Sequence, residues 1–550
     1  MKRRNLIKNL AITLPAIYWA NNLKAGSVLS NLSFAEEIAN GPFQPTWQSL
    51  KQYKTPEWYK DAKFGIWAHW GAQCQPEHGD WYARSMYNEG SREYDFHIKK
   101  YGHPSRFGFK DVINIWKAEN WNPVQLMELY KRAGAQYFVG MASHHDNFDN
   151  YNSKYQPWNS VNLGPKKDII GGWAKAAREQ GLRFGVSVHS AHAWLFYETA
   201  QRSDRKGELM GVPYDGKLRK KDGKGTWWQG FDPQDLYAQN HLLSEGSDNI
   251  ANIHKQWDWK NGATTPDKGY CDKFLNRTID LIDQYDPDLV YFDDTALPLW
   301  PISDAGLKIA AHLYNKSIIK KGRLEAVLNG KVLDAEQRKC MVWDIEKGRS
   351  NNLEPFVWQC DTCLGSWHYD RSIYENHQYK TAKMVIHNLL DIVSKNGTML
   401  LSVPVRGDGT IDSDETAVVE EIARWMNING ESIFSTRPWK IFGEGPAQES
   451  DNPLKAQGFN EGGGKPFSSF DYRFTTKGNT LYAVGLGWPE NGKALIKSLS
   501  KDNPLRPEAI NHIEFLGGAG LKFERKEEGL EVILPENKPE LSYAYSLKIS

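Results

Sequence analysis

Cysteine is scarce: five in 550 residues build no disulfide framework, so the fold must rest on its core. Charge of one sign is lacking as well. Lys and Arg total 68 against 67 Asp and Glu, and a net charge of +1 supplies no field to hold a polyanion, which excludes general nucleic-acid binding. No apolar run approaches the roughly 18 residues of a membrane helix, so no transmembrane span is expected. Repeats of solenoid period are missing, and 40% apolar with 25% charged residues is the composition of a folded globular chain. What the chain has in excess is aromatic side chains: Trp 22, Tyr 25 and Phe 22 make up 13%. Such flat apolar faces suit large cores and also stack on ligands such as sugars.

The N-terminus reads as an address. Lys2, Arg3 and Arg4 precede a modest apolar stretch, Leu10 to Ala20, that ends in small residues near Ala25 and Gly26. The run Arg3-Arg4-Asn5-Leu6-Ile7-Lys8 resembles a twin-arginine export signal, so residues 1–26 are expected to direct export and the mature protein to be periplasmic or secreted.

From about residue 60 to 405 one physical unit recurs: an amphipathic helix, a glycine, then a short apolar strand ending in polar residues. Asn122-Pro123 opens a helix striped by Leu126, Leu129 and Tyr130, and Tyr137 to Ala142 follows as a strand. Asp168 caps a helix carrying Ile170, Trp173 and Ala177, ahead of the strand Arg183 to Val188. Leu275, Ile279 and Ile282 stripe a third helix before Leu289 to Phe292, and Val385, Ile386, Leu389 and Val393 a fourth before Thr398 to Val403. Further strands are expected near Lys63, Leu324, Cys340 and Phe356. Short apolar strands alternating with helices predict a parallel sheet closed as a (β/α)8-like barrel over residues 40–430. After about residue 430 the pattern turns to strict alternation, clearest from Leu541 to Ile549 and shorter at Thr480 to Leu486 and Leu530 to Leu534. That predicts a C-terminal antiparallel β-sandwich over residues 431–550, packed on the barrel.

A barrel presents the residues at its strand C-termini to one shared pocket. His69, His144, His145, His189, Asp293 and Glu346 all stand where apolar runs stop. Breaking a glycosidic bond with retention needs one ionised carboxylate and one protonated carboxyl. Asp293, at the end of Leu289-Val290-Tyr291-Phe292, is the nucleophile candidate, with Asp294 pointing the other way. Glu346, after Met341-Val342-Trp343-Asp344-Ile345, is the acid/base candidate; Asp344 on the same face and Glu354 remain alternatives. The histidines suit sugar hydroxyls, being both donor and acceptor. Zinc is the rival reading, and the spacing argues against it: there is no His-Glu-x-x-His, and adjacent His144 and His145 are expected on opposite sides of a strand. Cys360-x-x-Cys363 is a lone pair and weak as a metal or redox motif. The excursion from about Thr199 to Gly262 carries a solvated basic surface of Arg202, Arg205, Lys217, Arg219, Lys220, Lys221 and Lys224. Its length suggests a lid or binding loop, with Trp227 and Trp228 as a candidate sugar subsite and Trp257 nearby.

Four blocks carry a family likeness: Phe64-Gly65-Ile66-Trp67-Ala68-His69-Trp70-Gly71, Ser143-His144-His145-Asp146-Asn147-Phe148, Asp288-Leu289-Val290-Tyr291-Phe292-Asp293, and Asn396-Gly397-Thr398-Met399-Leu400-Leu401-Ser402-Val403-Pro404. Together they resemble the α-L-fucosidases of glycoside hydrolase family 29 from about residue 45 to 440. The resemblance implies a (β/α)8-like catalytic barrel, a C-terminal β-sandwich, no metal or other cofactor, and retention of configuration. It places the nucleophile at Asp293 and hydroxyl contacts at His69, His144 and His145, with His189 a looser match. Trp81, after Asp80, would support the sugar, and Glu346, 12 residues before Trp358, is close to the family's acid/base position. Two departures stand out. Trp358-Gln359-Cys360-Asp361 replaces the family's Trp-Glu-x-Cys, and Phe292-Asp293-Asp294 its Phe-Asp-Gly. The expectation is a retaining exo-α-L-fucosidase acting on a fucosylated oligosaccharide or glycoconjugate. A non-catalytic fucose- or galactose-binding protein, an α-L-galactosidase and a metal-dependent hydrolase are the alternatives.

Overall fold

The computed structural model describes residues 36–249, 252–448 and 458–550. The expected export signal, residues 1–26, lies outside the described residues. Among those described, no helix is long and apolar enough to cross a membrane.

Eight parallel strands close into a barrel in chain order: β1 Phe64–Ala68, β2 Tyr137–Ser143, β3 Arg183–Val188, β4 Leu289–Thr295, β5 Val327–Lys331, β6 Val342–Asp344, β7 Trp358–Cys363 and β8 Gly397–Ser402. Closure is made by β1 pairing with β8 through Phe64–Met399 and Ile66–Leu401. All residues of β1, β2, β7 and β8 are buried; β1, β2 and β8 accordingly read as largely apolar runs, whereas β7 buries Gln359, Asp361 and Thr362 as well. Closure demands close approach: a Cβ at Gly65 would sit 2.3 Å from the Tyr137 ring. The Tyr137 and Tyr59 hydroxyls both donate to Gln359 Oε1, at 3.3 and 2.7 Å, tying β2 and the entry helix to β7.

The helix starts are the expected ones. Asn122 Oδ1 accepts from Gln125 N at 3.2 Å to open the helix Pro123–Arg132, and Asp168 Oδ1 accepts from Gly171 N at 2.9 Å to open Ile169–Glu179. The helix Ala305–Lys321 carries no single apolar stripe and was not legible from periodicity. It is buried on more than one side, because residues 39–43 cover its outer face: Asn315 Nδ2 donates to the carbonyls of Ala39 and Phe43 at 2.8 Å each.

The C-terminal region forms β9 Arg437–Glu444, β10 Tyr472–Lys477, β11 Thr480–Gly485, β12 Lys493–Ile496, β13 Ile513–Phe515, β14 Phe523–Arg525, β15 Leu530–Ile533 and β16 Tyr545–Ile549. A five-stranded antiparallel sheet, order β13-β16-β11-β10-β9, faces a three-stranded one, β12-β15-β14. Tyr545, Leu547 and Ile549 enter the core between the sheets, whereas Val484, Leu486 and Ala544 join the barrel's core. The last strand begins at Tyr545, so the alternation seen from Leu541 is partly a docking segment: Leu541 and Tyr543 pack on the barrel side. The seam is also polar, since Asp391 of the helix Ala382–Ser394 receives Arg473 Nε at 2.7 Å and Lys395 Nζ at 2.8 Å, all buried.

Candidate active site

A cavity of about 570 Å3 opens at the C-terminal ends of the strands. It is lined by His69, Asp80, Trp81, His144, His145, His189, Asp293 and Glu346, together with Lys331, Asp344, Asp361, Trp67, Trp257, His254, Trp367 and Phe459. Every candidate residue singled out at a strand end therefore shares one wall system.

Asp293 stands on β4 and Glu346 two residues beyond β6, where the strands rise together out of the core. Lys331, the last residue of β5, lies between them: its ammonium donates to Asp293 Oδ1 at 2.7 Å and to Glu346 Oε2 at 2.5 Å. Through that shared ammonium the nearest carboxylate oxygens of Asp293 and Glu346 lie no more than about 5.2 Å apart, close enough to act on one bond. Their electrostatics diverge. Burial would raise the Asp293 pKa, but Lys331, His145 and His189 outweigh it and hold the carboxyl well below the usual range. Burial pushes Glu346 up to about 7, helped by Asp361 and Asp293 and opposed by Lys331. Burial also works against the charge on Lys331, and Asp293, Asp361 and Glu346 overcome it, so it remains an ammonium.

Of the two alternatives to Glu346, Asp344 shares its cavity and Glu354 does not. Asp344 is 2% exposed in the cavity, accepts from Gln359 Nε2 at 2.7 Å, and has its carboxyl pushed well above the usual range by burial and by Asp361 beside it. Glu354 lines a separate cavity with Arg338 and Phe356 and accepts from Ser350 Oγ at 2.5 Å. Asp294 lines the same cavity as Asp293, with its carboxylate 2.8 Å from His192 Nε2.

The histidines pack edge to face around the floor. His69 is 4.9 Å from His144 and 5.0 Å from His189, ring centre to ring centre. His145 Nε2 and His189 Nδ1 each lie 3.4 Å from Asp293 Oδ2. Ala83 N donates to Gln73 Oε1 at 3.2 Å, which orients the amide so that Gln73 Nε2 donates to His144 Nδ1 at 2.7 Å. The His144 proton then sits on Nε2, a donor available to a ligand. Burial, with the neighbouring imidazoles, holds His69 and His144 well below the ordinary histidine range, so both are neutral hydrogen-bonding groups. Among the described residues, neither nitrogen of buried His69 nor Nε2 of His189 has a hydrogen-bond partner. Unpaired buried polar atoms aimed at a cavity are suited to ligand hydroxyls.

The paired histidines do not point to opposite sides, as strand alternation predicted. His144 and His145 follow the end of β2, where strand alternation no longer applies, and their rings lie 4.4 Å apart on the same cavity. One ligand atom each from His69, Asp80, His144 and His368 lies within 4.8 Å of the others, as do those of His144, His145 and His189, so this wall is also stereochemically able to grip a metal ion.

The Trp227-Trp228 subsite is also overturned. Trp227 Nε1 donates to Asp111 Oδ1 at 2.8 Å, Trp228 is buried beside Lys110, and neither lines the cavity. From the same excursion it is Trp257 and His254 that reach the site, stacked on Trp81 at 6.1 and 4.9 Å. The excursion is no free loop, since Asp215 is buried and accepts from the hydroxyls of Tyr87 and Tyr237 at 2.7 and 2.6 Å. His368, which no strand-end pattern flags, donates from Nδ1 to Asp80 Oδ1 at 2.7 Å and lies 4.6 Å from both His69 and His144. Lys331 did carry a signal, a cation closing the apolar run Val327-Leu328.

The barrel and its carboxylate pocket define a glycoside hydrolase. The family model described as alpha-L-fucosidase matches residues 31–431, and that of the alpha-L-fucosidase C-terminal domain matches residues 467–550. The chain belongs to the α-L-fucosidase family. Tissue alpha-L-fucosidase of Rattus norvegicus is 25% identical to it, over 98% of this chain and 99% of the rat protein. The Homo sapiens tissue enzyme is 25% identical over 92% of each. The crystal structure of Thermotoga maritima alpha-fucosidase shares the fold with a TM-score of 0.64 at 24% identity, covering 92% of this chain and 100% of that one.

Proposed function

We propose that the protein is a retaining exo-α-L-fucosidase that removes terminal α-L-fucose by double displacement. The observation that carries this reading is the pair Asp293 and Glu346 sharing one ammonium, with carboxyl pKa values driven apart. Ionised Asp293 attacks the anomeric carbon while protonated Glu346 gives its proton to the departing glycosidic oxygen, leaving a covalent glycosyl-enzyme. Glu346, now ionised, takes a proton from water; the water oxygen bonds to the anomeric carbon, the bond to Asp293 breaks, and fucose leaves with its configuration retained.

The histidine floor supports a neutral sugar, since His69, His144 and His189 offer uncharged donors and acceptors where hydroxyls would lie. Trp81 supplies a flat apolar face and Asp80, paired with His368, an acceptor beside it. An α-L-galactoside differs from the fucoside by one hydroxyl and is expected to be a slow substrate.

The test is release of fucose from an aryl α-L-fucoside, with the anomer formed first followed by NMR. No release sinks the activity, and initial formation of the β-anomer sinks the retaining mechanism. The Lys2 to Lys8 pattern supports export, and a periplasmic or secreted location is checked by cell fractionation.

A further inference from the structure

The segment 458–463 lies in sequence between β9 and β10 of the C-terminal sheets, yet it runs to the mouth of the barrel. Phe459 N donates to the Glu346 carbonyl at 2.7 Å and Glu461 N to the Lys347 carbonyl at 2.9 Å, adding a short ladder to the chain just beyond β6. Its side chains lock it there. Asn460 Oδ1 accepts from Arg349 N at 2.7 Å, and Glu461 accepts from Thr362 Oγ1 at 2.6 Å and pairs with Lys380. Gly458, at φ +133°, is needed for the approach, because a Cβ would lie 3.2 Å from the Glu346 carbonyl.

This strap leaves one side chain without a structural duty. Phe459 is 73% exposed, lines the cavity, and is held at φ +50°, a left-handed conformation unfavourable to a bulky residue. Val332, 51% exposed, lines the same cavity directly after Lys331, whose ammonium touches Glu346. A general acid must come within about 3 Å of the glycosidic oxygen, so the departing group starts at Glu346 and extends past residues bonded to it.

We propose that Phe459 is the platform for the leaving group, taking the apolar C–H face of a pyranose ring or an aryl ring against its own, with Val332 as a second apolar contact. The segment 458–463 thus makes the C-terminal region part of the specificity of the barrel. This rests on the glycosidase reading above, with Glu346 as the acid.

The test compares three donors in the full-length protein: α-L-fucosyl fluoride, whose leaving group needs neither platform nor proton; dinitrophenyl α-L-fucoside, which has a ring and needs no proton; and a fucosyl disaccharide, which has a ring and needs one. In Phe459→Ala, kcat/KM for both ring-bearing donors is expected to fall about three- to tenfold relative to the fluoride, the worth of one stacked ring. Phe459→Tyr should restore the ratio, and the pH profile should match wild type. An unchanged ratio overturns the proposal. So does a loss confined to the disaccharide, since that marks a displaced Glu346 instead of a lost platform. Wild-type protein inert towards all three donors overturns the glycosidase reading itself, a separate result from active wild type with an unchanged ratio.

Discussion

Lys331 Nζ lies 2.7 Å from Asp293 Oδ1, so the last residue of one barrel strand neutralises the carboxylate that rises from its neighbour. Because the same ammonium reaches Glu346 and stands 3.7 Å from Asp361, the charge state of the whole mouth turns on it. Replacing Lys331 by Met removes the cation that lowers both carboxyl pKa values. Both limbs of the pH–rate profile should move to higher pH, whereas Lys331→Arg should keep them near wild type. Limbs that stay put in the Met variant would show that Lys331 does not set these ionisations.

Asp293→Ala should lower turnover of an aryl fucoside by about a thousandfold or more while the circular dichroism spectrum and melting temperature stay near wild type. Added azide, a small anion able to occupy the vacated space, should restore part of the rate. Full activity would remove Asp293 from the mechanism.

Glu346 must be protonated to act as an acid, and its pKa is pushed up to about 7. Thus kcat/KM for a poor leaving group should decline as pH rises through that value. In Glu346→Gln this limb should vanish, with about a hundred- to ten-thousandfold loss on fucosyl disaccharides and a much smaller one on dinitrophenyl fucoside. Equal loss on both would redirect the role to Asp344, the other acid/base candidate that lines the cavity.

His69, Asp80, His144 and His368 bring their ligand atoms within 4.8 Å of one another, where the sugar hydroxyls are proposed to bind. Zinc is therefore expected to inhibit competitively with fucose, and a chelator to relieve that inhibition without lowering the basal rate. Loss of activity in chelator alone would favour a metal-dependent hydrolase. Zinc inhibition that fucose does not relieve would place the ion elsewhere.

At the seam with the C-terminal sheets, Asp391 is buried, and Lys395, Arg473 and Arg349 overcome the penalty of burial to hold its pKa well below the usual carboxylate range. A depressed folded-state pKa gives stability present above the unfolded value near 4 and lost as pH falls below it. Asp391→Ala leaves buried cations uncompensated and should cost about 3 to 5 kcal/mol in denaturant unfolding at neutral pH. The variant should also be less sensitive to acid between about pH 4 and pH 2 than wild type.

Much of this molecule was legible before folding. The eight strands lie within a few residues of their expected positions, and four of them directly follow helical stripes, because local burial leaves its period in the chain. His69, His144, His145, His189, Asp293 and Glu346 were legible for the same reason, since a closed parallel sheet sends all its strand C-termini to one mouth. The helix Ala305–Lys321 was hidden by its doubly covered surface, and the facing of His145 by its place just past a strand end.

The chain alone thus determined the barrel, the C-terminal sheets and the ring of polar groups at the strand ends, all products of short-range periodicity. Only tertiary packing decided that Trp257 and not Trp227 reaches the pocket, that His368 braces Asp80, and that Phe459 from beyond the barrel stands beside Glu346. Loops find their places through contacts with residues remote in sequence, and such contacts leave no repeat in the residues that make them.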